Sequence, residues 1–161
     1  MTPEDTTPRR ARVLGFVLLG AVLLGLAVWQ FGAFRAGLQL QTARARWAAQ
    51  HPPSYRYVVQ KGCFCPVNIV QPVRIEVRDG AALSMANAET GAPVPAADFE
   101  DVATLDHLFV LIQRAIDQGA DRVEVRYDEA LGYPTLISID HISNAVDDEV
   151  SYSVEHFEEV K

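Results

Sequence analysis

The chain has 161 residues, 49% of them hydrophobic, and a formal net charge of −7. That length favours one folded domain over two, and the negative balance repels phosphate backbones, which excludes nucleic acid as a partner. The charge is uneven: residues 36–97 carry six Lys/Arg and three Asp/Glu, whereas residues 98–161 carry four and sixteen. The acidic half reads first as a solubilising surface.

Residues 1–12 end in an arginine cluster, Arg9, Arg10 and Arg12, and the 22 residues 13–34 that follow hold no charge and one strongly polar side chain, Gln30. As a helix this segment reaches about 33 Å, enough to cross a hydrocarbon core of about 30 Å. The arginines before it, against a single Arg35 directly after, predict a cytoplasmic N-terminus and an extracytoplasmic remainder. The lipid bilayer is therefore the first expected partner, through residues 13–34. A cleavable signal peptide is the alternative, with Gly25-Leu26-Ala27 as its cleavage site. Signal peptides carry apolar runs of roughly 7–15 residues, and this run continues through Val28, Trp29, Phe31 and Phe34. Length and flanks favour a retained anchor. No Cys lies near the segment to carry a lipid.

Residues 35–53 continue at loose helical spacing through Leu38, Leu40, Ala43 and Trp47. They read as a stalk helix and linker, stopped by Pro52-Pro53, with the folded domain over 54–161. Tyr55, Tyr57 and Val59 alternate with polar residues as a first strand, and Val73, Ile75 and Val77 alternate with Arg74, Glu76 and Arg78 as a second. Asp79-Gly80 predicts a type I′ hairpin into a third strand from Ala81 to about Met85. Asn87 to Ala97 reads as a surface loop.

Thr104 is placed to cap a helix in which Leu105, Leu108, Phe109, Ile112 and Ile116 form one apolar stripe, and Gly119 fits its left-handed C-terminal position. Val123, Val125 and Tyr127 form a fourth strand, Leu131-Gly132-Tyr133-Pro134 reverses it, Thr135 to Ile139 returns, and Val150, Tyr152 and Val154 close the set. The expected fold is α+β: an antiparallel β-β-β-α-β-β-β sheet with one covering helix, preceded by an N-terminal transmembrane helix.

In order along the chain stand Tyr55-Arg56-Tyr57, Cys63-Phe64-Cys65-Pro66, Val77-Arg78-Asp79-Gly80, Tyr127-Asp128, Leu131-Gly132-Tyr133-Pro134 and Asp147-Asp148-Glu149. Over about residues 45–158 this set resembles a family of uncharacterised, mostly bacterial exported domains, the domain-of-unknown-function family numbered six-one-seven-four. The resemblance implies an exported or membrane-anchored domain and carries over no activity, cofactor or catalytic residue.

Cys63 and Cys65 are the most pointed chemical feature. Outside the cytoplasm two thiols are expected to pair, but positions i and i+2 of a strand lie roughly 6–7 Å apart, so a mutual bridge needs a local bend. Gly62 and Pro66 permit one. A structural disulfide, free thiols, and a redox or soft-metal site all stay open for this pair. His51, His107, His141 and His156 show no metal-ligand spacing, no Ser, His and Asp fall in a recognisable nucleophile motif, and the glycines read as turns, so no enzyme activity, cofactor or metal is expected. Tyr127, Asp128, Tyr133 and Pro134 frame either a structural turn or a ligand platform. Asp140, Asn144, Asp147, Asp148 and Glu149 crowd a loop that lacks the alternate-position ligands and glycine of a calcium loop. There, Asp147 or Asp148 is expected to order the turn through an Asx bond. The expected function is a non-enzymatic envelope binding or structural module, meeting an unidentified envelope protein or small ligand. The rival is a redox or metal-handling protein working through Cys63 and Cys65.

Overall fold

Six strands form one antiparallel sheet in the order β3-β2-β1-β6-β5-β4 in the computed structural model, which describes residues 19, 35–142, 145 and 147–160. The transmembrane helix expected over 13–34 lies, apart from Leu19, outside the described residues. Among the described residues no helix is long and apolar enough to cross a membrane.

The strands are β1 (Ser54–Gly62), β2 (Val73–Arg78), β3 (Ala81–Asn87), β4 (Arg122–Tyr127), β5 (Pro134–Asp140) and β6 (Glu149–Glu159). Period-two alternation sets their faces. Tyr55, Tyr57 and Val59 of β1, with Val73, Ile75 and Val77 of β2, are buried, while Arg56, Arg74 and Arg78 lie on the opposite face. Two three-stranded meanders are joined by the pairing of the first strand with the last, which runs from Tyr55↔Glu159 to Gly62↔Ser151. A bulge interrupts that ladder between Arg56 and Val58, where His156 takes a positive φ of 53°. The hairpin expected at Asp79-Gly80 is present, with φ of 51° and 77° as a type I′ turn requires.

Helix α1 covers residues 35–50, α2 is the single turn Val67–Val70, and α3 runs Leu105–Asp117 after a 3₁₀ segment, Ala96–Val102. Thr104 caps α3 by accepting from the His107 N–H at 3.3 Å. At the other end Gly119 adopts φ 71°, and the Gly119 and Ala120 N–H groups donate to Ile116 and Ala115. This Schellman pair satisfies carbonyls the helix leaves open. The stripe Leu105, Leu108, Phe109 and Ile112 is fully buried against the sheet.

One expectation is corrected here. Residues 35–50 are not a stalk beside the domain: Leu40 and Trp47 are fully buried and Ala43 nearly so, all in the same core cluster as α3 and the strands. Two helices, α1 and α3, therefore contribute to that core, where one covering helix was expected. The apolar residues at 40, 43 and 47 fall at i, i+3 and i+7, the spacing of one helical face. Residues 36–161 accordingly form one compact unit. The long strand β6 and the short elements α2 and Ala96–Val102 also exceed what alternation and loop composition predict.

A chain shortened to begin at residue 52 loses these core residues, and we expect it to show no cooperative thermal transition, whereas one beginning at residue 36 unfolds cooperatively. In the full chain, Trp47→Ala and Phe109→Ala should each cost about 3–5 kcal/mol in urea unfolding. Unchanged midpoints would show that the two helices are not seated as described.

Candidate functional site

The turn after β4 is one of the candidate sites. Asp128 Oδ1 accepts from the Ala130 and Leu131 N–H groups at 3.0 and 2.7 Å, an Asx turn. The Asp128 N–H and the Tyr133 carbonyl close it at 2.8 Å. Gly132 has φ 85°, and a Cβ built there would stand 2.5 Å from the Ala43 carbonyl and 3.1 Å from Arg46 Cβ. Only glycine lets the α1 backbone approach so closely. Arg46 Nη1 then donates to the Glu129 carbonyl at 2.8 Å. Tyr133 stacks on Phe157 with centroids 4.8 Å apart and meets Trp47 edge-on at 6.0 Å. Tyr127 stacks on Phe109, and buried Pro134 opens β5 opposite Tyr127. These four residues are a helix-docking turn. Its aromatic faces are already occupied.

A second set of aromatics fixes β1 under the 3₁₀–α3 junction. The Tyr57 hydroxyl donates to the Val102 carbonyl at 2.5 Å, and the Tyr55 hydroxyl accepts from the Leu105 N–H at 3.2 Å. Trp47 Nε1 reaches Asp106 Oδ2 at 3.4 Å, and its ring meets Tyr55 at right angles, 5.4 Å between centroids. Burial pushes the phenols of Tyr55, Tyr127 and Tyr152 up to about 12, and those of Tyr57 and Tyr133 upward as well.

The remaining chemistry gathers at the far end of the open sheet face. Strand β1 ends at Gly62, and Cys63 and Cys65 are joined by a disulfide whose Cα atoms lie 5.2 Å apart. The bend needed for that closure is the break in the strand itself. The closed loop holds Phe64 at 85% exposure, with Val67 just beyond at 83%. Beside it opens a cleft of about 600 Å³, lined by Gly62, Cys63, Phe64, Ser151, Asp147 and Glu149 among others.

The acidic loop forms the facing wall in part. Asp147, with φ 76°, and Glu149 line the cleft, while Asp148 between them does not. Both Asp148 carboxylate oxygens, and Asp140 Oδ1, are shielded from solvent without a hydrogen-bond partner. Asp147 and Asp148 thus have different surroundings although consecutive, with Asp147 at a left-handed backbone position ahead of β6. The Asx bond expected from Asp147 or Asp148 is absent among the described residues; Asp128 and Asn87 make bonds of that kind. Asn144 lies outside the described residues. Among the described residues no three His, Cys, Asp or Glu gather as a metal set. His51 instead lies against Trp47 with Nδ1 3.0 Å from its carbonyl, and His107 is exposed.

The fold and these sites define an α+β domain with a helix-packed face, an open face, and a disulfide-closed loop beside a cleft. The chain belongs to the Family of unknown function (DUF6174), whose model matches residues 39–159. That match starts inside α1 and so includes Leu40, Ala43 and Trp47, earlier than the resemblance at about residue 45 suggests. No curated protein matches the chain, and no solved structure does.

Two residues of structural weight escape a reading for chemistry: Trp47, and Gly132 as the seat of α1. Their signals were the i, i+3, i+7 spacing and the glycine amid Leu131, Tyr133 and Pro134.

All five tyrosines are held neutral by burial, so an unfolded chain, ionising near the ordinary value of 10.0, releases protons before the folded one. Their contribution to stability is fully present below about pH 10 and falls between pH 10 and about 12. Phenolate absorbance should therefore rise in the same step as circular dichroism is lost. Smooth ionisation near pH 10 with the fold intact would contradict the packing.

Proposed function

We propose that this chain is a membrane-anchored extracytoplasmic protein whose domain is a non-enzymatic binding or structural module of the cell envelope. The observation that carries the reading is the Cys63–Cys65 disulfide, because such bonds persist in oxidising compartments. The charge-free span 13–34 behind its arginine cluster supports the same placement and supplies the anchor. A concave surface, the cleft beside Phe64, supports binding as the role, since an exposed aromatic over a cleft is a common recognition feature.

A second reading draws on the same pair. Cys63 lines the cleft, so an envelope redox or metal-handling role would put its thiols within reach of a guest. The two readings part on what the cysteines do. A bridge closing so short a loop constrains the unfolded chain by only about 1–2 kcal/mol.

Alkaline phosphatase fused after Lys161 should be active and a cytoplasm-only fluorescent reporter silent; the reverse pattern would overturn the placement. Replacing both Cys63 and Cys65 by Ser should lower the melting temperature slightly and leave folding intact. Stoichiometric copper or zinc in freshly isolated protein, lost in that variant, would favour metal handling over a structural bridge.

A further inference from the structure

Resting on the binding-module reading, we propose that the cleft between the disulfide loop and the start of β6 receives a Lys or Arg side chain from a basic, partly apolar segment of a partner protein.

The floor of the cleft is a depression built by small residues on three neighbouring strands. Gly62 of β1 pairs with Ser151 of β6, and Ser151 pairs with Ser138 of β5. A side chain on Gly62 would press on Ser151 Oγ, which would have to turn aside, so glycine at this position keeps the depression open. One wall is Cys63 and Phe64, the other Asp147 and Glu149. Its size, about 600 Å³, lies within the roughly 300–1,000 Å³ of pre-formed sites.

The chemistry of the walls selects the guest. Asp147 and Glu149 have no side-chain hydrogen bond or ion pair among the described residues. Arg122 donates from Nε and Nη2 to Glu124 at 2.9 and 2.6 Å, and its charge acts less strongly on Asp140 and Glu149. A cationic head entering the cleft meets these carboxylates, while its aliphatic stem lies against the Phe64 ring. The acidic half of the chain, sixteen Asp/Glu against four Lys/Arg over 98–161, attracts a cation from a distance. A small free cation would fill the cleft but leave Phe64 and Val67 in water, 85% and 83% exposed. A protein segment covers both, which commits the site to a peptide guest. The disulfide contributes by holding the loop, and with it Phe64, in one place before binding, which lowers the ordering cost.

The test uses the full chain in detergent micelles and three probes: fluorescein-labelled acetyl-Gly-Leu-Lys-Leu-Arg-Gly amide, the same peptide with both basic residues replaced by Gln, and spermidine as competitor. Anisotropy should show the basic peptide binding at least about tenfold more tightly than the Gln peptide, weakening as salt rises. The double variant Asp147→Asn/Glu149→Gln, and separately Phe64→Ser, should each lose about tenfold, with unfolding midpoints unchanged. Arg126→Gln on β4 should bind as the parent does. Three results would each overturn the proposal: equal binding of the two peptides, binding indifferent to the cleft variants, or displacement by spermidine at the peptide's own affinity. Absence of peptide binding with an extracytoplasmic reporter removes this site alone; a cytoplasmic reporter removes the underlying reading whatever the peptide does.

Discussion

The contact between Gly132 and the backbone of α1 is the constraint on which the rest of this domain depends. A turn that carries no side chain at its tightest point lets the Ala43 carbonyl and the Trp47 N–H pass within van der Waals range. That approach sets the depth at which Trp47 enters the core. Around its indole then assemble Tyr55 from the first strand, Phe157 from the last and Tyr133 from the turn itself. Aromatic pairs of this kind add to the area they bury through edge-to-face geometry. One helix thereby ties together both meanders, β1-β2-β3 and β4-β5-β6, which otherwise meet at the β1–β6 ladder.

The division of labour between faces follows. With α1 and α3 on one side, buried tyrosines there are used for structure: their hydroxyls satisfy Val102 and Leu105 backbone groups that the 3₁₀–α3 junction would otherwise leave unmet. The opposite face carries mostly charged and small polar side chains, with Leu136 and Val58 among them. Its end beyond Gly62 combines a covalently closed loop, an exposed phenylalanine and two carboxylates around a depression. The aromatic turn at Tyr127–Pro134, by contrast, uses its surfaces in internal packing.

Much of this was legible in the sequence because it is local. Alternation at 73–78 fixes β2, Asp79-Gly80 fixes the hairpin, and Thr104 with the 105–116 stripe fixes α3. The error concerned residues 35–50. Their three apolar positions are diluted by Gln, Arg and Ala, and following a long apolar segment they read as a stalk; what makes them core is a partner ninety residues away, which no local pattern reveals. The function of the Leu131–Pro134 turn was half visible for the same reason, its glycine being readable as a turn residue but not as a docking seat. At the cleft, Gly62 and Pro66 showed only that a Cys63–Cys65 bridge could close, with free thiols and a redox or soft-metal site also open, and the structure closes it. The meeting of that loop with Asp147 and Glu149 depends on the β1–β6 register, which alternation alone leaves free.

The seating of α1 on Gly132 is tested most directly by comparing two alanine variants in urea unfolding. Gly91 has a similar positive φ of 73° but open space around it, so Gly91→Ala bears only the left-handed backbone penalty of about 1–2 kcal/mol. Gly132→Ala bears that penalty and must also displace the α1 backbone. The account predicts that Gly132→Ala is the more destabilising by at least about 2 kcal/mol, with Trp47 fluorescence shifted towards that of a solvated indole. Equal losses for the two variants, with Trp47 unshifted, would contradict it.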